Sequence, residues 1–152
     1  MSLKYESPEF SEELKKRANA DAEYREKAKG VNWKIMTIVN DVPFATTTVY
    51  SDGEIVERKQ VPATEIEAVR KTADFTIEIP SYELSIEMAA GRKSMESLFM
   101  GRQIKVEGSI FKALQYRGAL EKFSKITAQL TTESVVPSKE DFVKMLKERG
   151  LL

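Results

Sequence analysis

The sequence predicts an α+β fold: a mostly antiparallel five-stranded sheet with one crossover strand, covered by about five helices. Three observations carry that expectation. Along Trp33–Val39 and again along Phe75–Ile79 residues alternate with period two, the period of a half-buried strand. Before Gly30 and after Ser81 they recur at three- and four-residue spacing, the period of a helix face. The chain has 152 residues with no internal repeat, low-complexity tract or linker, so residues 1–152 are expected to form one domain.

Ser7-Pro8 opens the first helix, because a serine oxygen can accept an orphan N–H and proline tolerates the first helical position. Phe10, Leu14 and Ala18 follow at helical spacing, and Asp21 caps a second short helix that carries Tyr24 and Ala28 and closes at Gly30. Trp33, Ile35, Thr37 and Val39 alternate along a strand that ends in the turn Asn40-Asp41-Val42-Pro43. Phe44 to Tyr50 is rich in Thr, Val and aromatics, and Ser51-Asp52-Gly53 turns the chain into its partner strand, Glu54 to Val61. Pro62 to Thr72 reads equally as a helical turn or a strand. Phe75, Ile77 and Ile79 form the next strand.

From there the pattern is mostly helical. Ser81 caps a helix with Leu84 and Met88 that ends at Gly91, and Ser94 caps a shorter one from Met95 to Met100. Gln103 to Glu107 is a short strand closed by Gly108. Ser109 opens a long helix whose broad face includes Ile110, Ala113, Leu114, Leu120, Phe123, Thr127 and Leu130. Pro137-Ser138 starts the last helix, with Phe142, Met145 and Leu146 as a narrow apolar face. Behind the polar connection Ser134 to Pro137 it is expected to act as a lid.

Composition removes several functions. The 24 basic and 24 acidic residues balance, which gives no long-range attraction for phosphate backbones, so no nucleic-acid role is expected. There is neither Cys nor His, which rules out disulfides, thiolate nucleophiles, imidazole proton shuttles and zinc sites built on those ligands. No metal and no cofactor are expected. No apolar run is long enough to span a bilayer and the N-terminus lacks a signal-peptide pattern, so a cytoplasmic location is expected.

No Gly-rich phosphate loop is present. Glu12-Glu13, Glu65/Glu67 and Lys15-Lys16-Arg17 lie in alternating charge patterns and read as solvated surface. Trp33 reads as core. The informative stretch runs from Met88 to Phe123, where Met88, Met95, Phe99, Met100, Phe111 and Phe123 concentrate thioethers and aromatic rings. Methionine suits surfaces that fit variable apolar shapes, although the same residues also build ordinary cores.

In the same stretch the chain resembles the sterol carrier protein family, in its stand-alone prokaryotic form. Ala73-Asp74, the strand Phe75 to Ile79, a helix ending Ala90-Gly91, Ser97 to Gly101 and then Ile104-Lys105-Val106-Glu107-Gly108 follow that family's signature in order. Asn19 to Arg25, Trp33 and Asp52-Gly53 extend the resemblance over nearly the whole chain. It implies helices on one side of the sheet and an apolar tunnel between the two layers for fatty acyl chains, sterols or similar lipids. Carried onto this sequence, the wall comprises Leu84, Met88, Phe99, Met100, Ile104, Phe111, Leu114, Leu120 and Phe123, with Met145 and Leu146 at the mouth. The expected function is binding and carriage of an apolar small molecule without chemistry, with room for transient membrane contact and for a homodimer. Two alternatives stand beside it: an interaction module using the same Met-rich groove, and an enzyme on a lipid thioester or steroid, with Glu107 or a tyrosine as its acid–base group.

Overall fold

The structure is a computed structural model that describes residues 4–132 and 135–152. Helix α1 (Pro8–Ala20) starts where Ser7 Oγ accepts from the Phe10 amide at 3.1 Å, and it buries Phe10, Leu14 and Ala18. Asp21 does the same for α2 (Ala22–Lys27), accepting from the Tyr24 amide at 2.8 Å. Three strands follow as a meander, β1 (Lys34–Val39), β2 (Phe44–Ser51) and β3 (Glu54–Val61). The chain crosses to β4 (Phe75–Ile79) and finishes the sheet with β5 (Lys105–Glu107) after two helices, α4 (Tyr82–Ala89) and α5 (Met95–Met100). The order is β3-β2-β1-β4-β5, with β4 parallel to β1 and every other pairing antiparallel, as the crossover expectation requires.

The segment whose type the sequence left open is the crossover itself. It holds a 3₁₀ turn (Ala63–Glu65) and α3 (Ile66–Arg70). These cover the second face of the sheet, where Met36, Ile38, Ala45, Val61 and Ile66 form their own buried cluster. Helices therefore lie on both faces, which corrects the one-sided arrangement implied by the resemblance. A parallel pairing needs a crossover, and an apolar second face must be covered by something.

Among the described residues there are eight α-helices, more than the expected five. Part of the excess is α3. Part comes from a break in the long helix at Tyr116, which divides it into α6 (Ile110–Gln115) and α7 (Arg117–Leu130). Tyr116 leaves helical backbone (φ −110°, ψ 25°), and its ring meets Trp33 edge-on at 5.3 Å between centroids.

The last helix, α8 (Lys139–Glu148), is docked against the main core. Phe142 and Leu146 are both 0% exposed, and the Phe142 ring touches Tyr5, Phe44 and Tyr82. Around them Tyr82 Oη donates to the Pro137 carbonyl at 2.7 Å, Lys139 pairs with Asp41 at 2.9 Å, and Arg149 donates to the Glu6 carbonyl. The helix anchors through Phe142, which sits among three aromatic rings. Of the connection expected to free this helix, Ser134 lies outside the described residues.

Candidate functional site

Two helices and one strand frame the region singled out by composition. Helix α4 (Tyr82–Ala89) begins at Ser81, whose Oγ accepts from the Leu84 amide at 3.2 Å, and α5 (Met95–Met100) begins at Ser94, which accepts from the Ser97 amide at 3.1 Å. Helices this short depend on tertiary packing, which Tyr82 and Ile86 of α4 and Leu98 of α5 supply. Against β4 and β5 they assemble a separate cluster: Ile79, Leu98 and Ile104 are buried, and Ile77, Leu84, Met88, Met95, Phe99 and Val106 pack half-buried around them.

The expected wall residues divide three ways. Leu84, Met88, Phe99 and Ile104 come together in this cluster, with Met100 at its rim, 75% exposed. Phe111 and Leu114 stand out on α6, 79% and 55% exposed. Leu120, Phe123, Met145 and Leu146 lie elsewhere: Leu120 and Phe123 face a small internal void, and Phe123, Met145 and Leu146 belong to the main core. Sequence reasoning missed Ile77, Ile79, Leu98 and Val106 as members of the cluster, and singled out Met95 without placing it on the wall. Met95 and Leu98, three apart on one helix, carried a readable signal; membership of Val106 required the β4–β5 register, in which it sits opposite Ile77.

Space is distributed unevenly. Between sheet and helices, Tyr24, Trp33, Tyr50, Leu120 and Phe123 enclose a void of about 10 Å³. That is room for about one water molecule. At the surface, Phe99, Met100, Arg102, Ile104, Lys105 and Val106 line an open groove of about 660 Å³ that also touches Glu107. Its floor is the outer side of the half-buried cluster.

The residues that could serve chemistry are engaged structurally. Glu107 and Glu78 both pair with Arg70 of α3, the latter at 2.9 Å, which ties the crossover helix to the sheet edge. Burial pushes the phenols of Tyr5, Tyr24, Tyr50 and Tyr82 well above their ordinary value of 10.0, so each stays protonated at neutral pH. Among the described residues no group of three or more acidic side chains is placed to hold a metal ion.

The most motif-like residues are joinery. The Asp74 carboxylate accepts from the Lys34 amide at 2.8 Å, and the Asp74 amide donates to the Lys34 carbonyl at 2.9 Å, which starts β4 in register beside β1. Gly108 sits at φ +119°, and a Cβ there would lie 2.5 Å from the Asp74 carbonyl oxygen. Only glycine fits both demands. Asp74 and Gly108 therefore mark the closure of the sheet edge.

Comparison with known proteins agrees with this architecture. Residues 12–121 match the SCP-2 sterol transfer family. A crystal structure of sterol carrier protein 2 superposes with a TM-score of 0.69 at 18% identity, covering 83% of this chain and 98% of its own. A solution structure of a conserved Thermus thermophilus protein, suggested to be a sterol carrier protein, gives 0.68 at 18% identity over 86% and 92%. At these identities the two structures speak for the fold alone. No curated protein sequence matches the chain.

Proposed function

Because the chain belongs to the SCP-2 sterol transfer family, whose domain is a lipid-binding fold, we propose that it binds an apolar ligand, an acyl chain or a sterol-like lipid, without chemistry on it. The proposed site is the α4–α5–β5 cluster with its groove: Leu84, Met88, Phe99, Met100 and Ile104, joined by Val106. The observation that carries the reading is the contrast in packing there. The void under Leu120 and Phe123 is far too small for an acyl chain, whereas the groove, open to solvent on one side, offers about 660 Å³ beside the half-buried cluster. Its apolar wall is Phe99, Met100, Ile104 and Val106, with Arg102, Lys105 and Glu107 at its polar side, and the thioether of Met100 adapts to the shape of a guest.

The ligand's affinity comes from apolar area removed from water, about 25 cal/mol per Å², less the cost of ordering a flexible chain. A dissociation constant in the micromolar range, about −8 kcal/mol, is expected. Titration with a fluorescent fatty acid, competed by unlabelled acyl chains of rising length, tests it. Saturable binding that strengthens with chain length, and weakens about tenfold in Phe99→Ser, supports the site. Failure of any probe to saturate, or competition indifferent to chain length, removes it.

A further inference from the structure

Helices α4, α5 and α8 end in the same way, with two amides past the cap turning back onto the last carbonyls. After α4, Gly91 donates to the Met88 carbonyl at 3.1 Å and Arg92 to Glu87 at 2.9 Å. After α8, Gly150 donates to Lys147 at 3.1 Å and Leu151 to Leu146 at 2.8 Å. After α5, Arg102 donates to Phe99 at 3.1 Å and Gln103 to Leu98 at 2.8 Å. The first residue of each pair takes left-handed backbone, at φ +80°, +71° and +58° in that order. Glycine fills this position after α4 and α8 without steric cost, whereas α5 places Arg102 there and leaves Gly101 one position earlier at an ordinary φ of −81°. A side chain held where glycine is favoured points to a task that glycine cannot perform. Support of the helix end is not that task. A cation is favourable near a helix C-terminus, yet α4 has Arg92 one residue after its glycine and α8 has Arg149 one residue before its own, so cation and glycine coexist at both ends.

Arg102 lines the groove together with Phe99 and Met100. The other charges there are already engaged. Glu107, the one acid of the lining, pairs with Arg70, as Glu78 does, and Lys105 stands opposite Glu78 in the β4–β5 register. Arg102 has no ion pair among the described residues. We propose that Arg102 reads the head of the ligand, so that the groove selects amphiphiles with a carboxylate head: the acyl chain lies against Phe99, Met100, Ile104 and Val106, and the carboxylate meets the guanidinium. The paired N–H groups of the guanidinium match the two oxygens of a carboxylate, and charge-assisted bonds of this kind are about twice as strong as neutral ones. A sterol hydroxyl or an ester carbonyl gives only a neutral bond. The selectivity rests on the groove being the ligand site, and it narrows the ligand there from any apolar molecule to an anionic one.

Direct titration of the full chain with a fluorescent fatty acid, and with the fluorescent alcohol of the same chain length, tests the proposal. Wild type is expected to bind the acid about tenfold more tightly than the alcohol, with the preference shrinking as salt rises. Arg102→Gln keeps a side chain on the left-handed backbone but removes the charge. It should bind both probes alike, with acid affinity down about tenfold and a melting temperature close to that of wild type. Arg102→Gly should lose the same preference and, freed of the backbone strain, melt about 2–4 °C higher. Greater stability together with a lost preference is an outcome that a purely structural arginine would not give. Equal wild-type affinity for two probes that Phe99→Ser weakens alike overturns the role of Arg102 and leaves the groove standing. An acid preference that survives in Arg102→Gln and Arg102→Gly also overturns it, since another cation then holds the head. So does an Arg102→Gly protein that melts below wild type, because the arginine then serves the helix end. If neither probe saturates wild type, the ligand site falls and the selectivity falls with it.

Discussion

Two apolar regions share the face of the sheet opposite α3 and are built from different side chains. Where α1, α8 and β2 meet, the contacts are between rings: Tyr5 with Phe10 at 5.4 Å, Phe44 with Phe142 at 5.1 Å, and Tyr82 stacked on Phe142 at 4.9 Å. Phe10, Leu14, Phe142 and Leu146 are wholly buried. Under α4 and α5, near the β4–β5 edge, the material is Ile, Leu, Val and Met with one Phe, and most of the cluster remains half-buried. Rings in fixed edge and stacked contacts define one arrangement, whereas unbranched thioethers tolerate several. The first region is thus suited to holding the fold and the second to yielding to a guest, and local openings of the molecule are expected to start in the second.

The sharpest way to break that contrast is to cut equal holes in both regions. Phe142→Ala should cost about 3–5 kcal/mol and bring the protein close to unfolding, whereas Met88→Ala, from a half-buried site, should cost at most about 2 kcal/mol. Urea midpoints compare the two directly, and equal losses would erase the distinction.

A smaller but still large effect is expected where the first region is polar. Beneath α1, Glu6 meets Arg58 at 2.8 Å with both side chains nearly out of solvent, and Arg58 also donates to Ser11 at 2.7 Å. Arg58 reaches this face because the β2–β3 register shifts between Val49 and Tyr50, which leaves Val56 unpaired and sets Arg58 opposite Thr48. Glu6→Gln leaves a buried guanidinium without its counter-charge and should cost about 3 kcal/mol, measured in the same urea series. A loss below about 0.5 kcal/mol, as for a surface pair, would mean that water reaches the pair and that this region is looser than its packing implies.

Alkali should separate the regions more gently. Tyr5, Tyr24, Tyr50 and Tyr82 all lie in the first cluster and none in the second. Burial raises each folded phenol above the unfolded value of 10.0, so their contribution to stability is complete below that pH and is lost as pH rises beyond it toward the folded values. The melting temperature should hold steady to about pH 9 and then fall together with the rise of tyrosinate absorbance. Tyrosinate appearing at its ordinary pH without loss of structure would show these phenols to be wet.

The chain's local chemistry was legible in its sequence. Ser7, Asp21, Ser81, Ser94, Ser109 and Ser138 each cap the helix they were expected to open, because a side-chain oxygen one residue before a helix satisfies an orphan N–H whatever the rest of the chain does. Alternation located the strands for an equally local reason, since successive side chains on a strand must point to opposite faces. The membership of the site was not legible in this way. Leu114 and Leu120 belong to the same helical pattern, yet the break at Tyr116 leaves one in solvent and the other against an internal void. Met145 and Leu146 read as a movable fringe until Tyr5, Phe44 and Tyr82, distant in sequence, enclosed their helix neighbour Phe142. Periodicity records which side of an element is apolar; the identity of the residues that cover that side is a long-range fact, fixed only when register, crossover and helix breaks are set together.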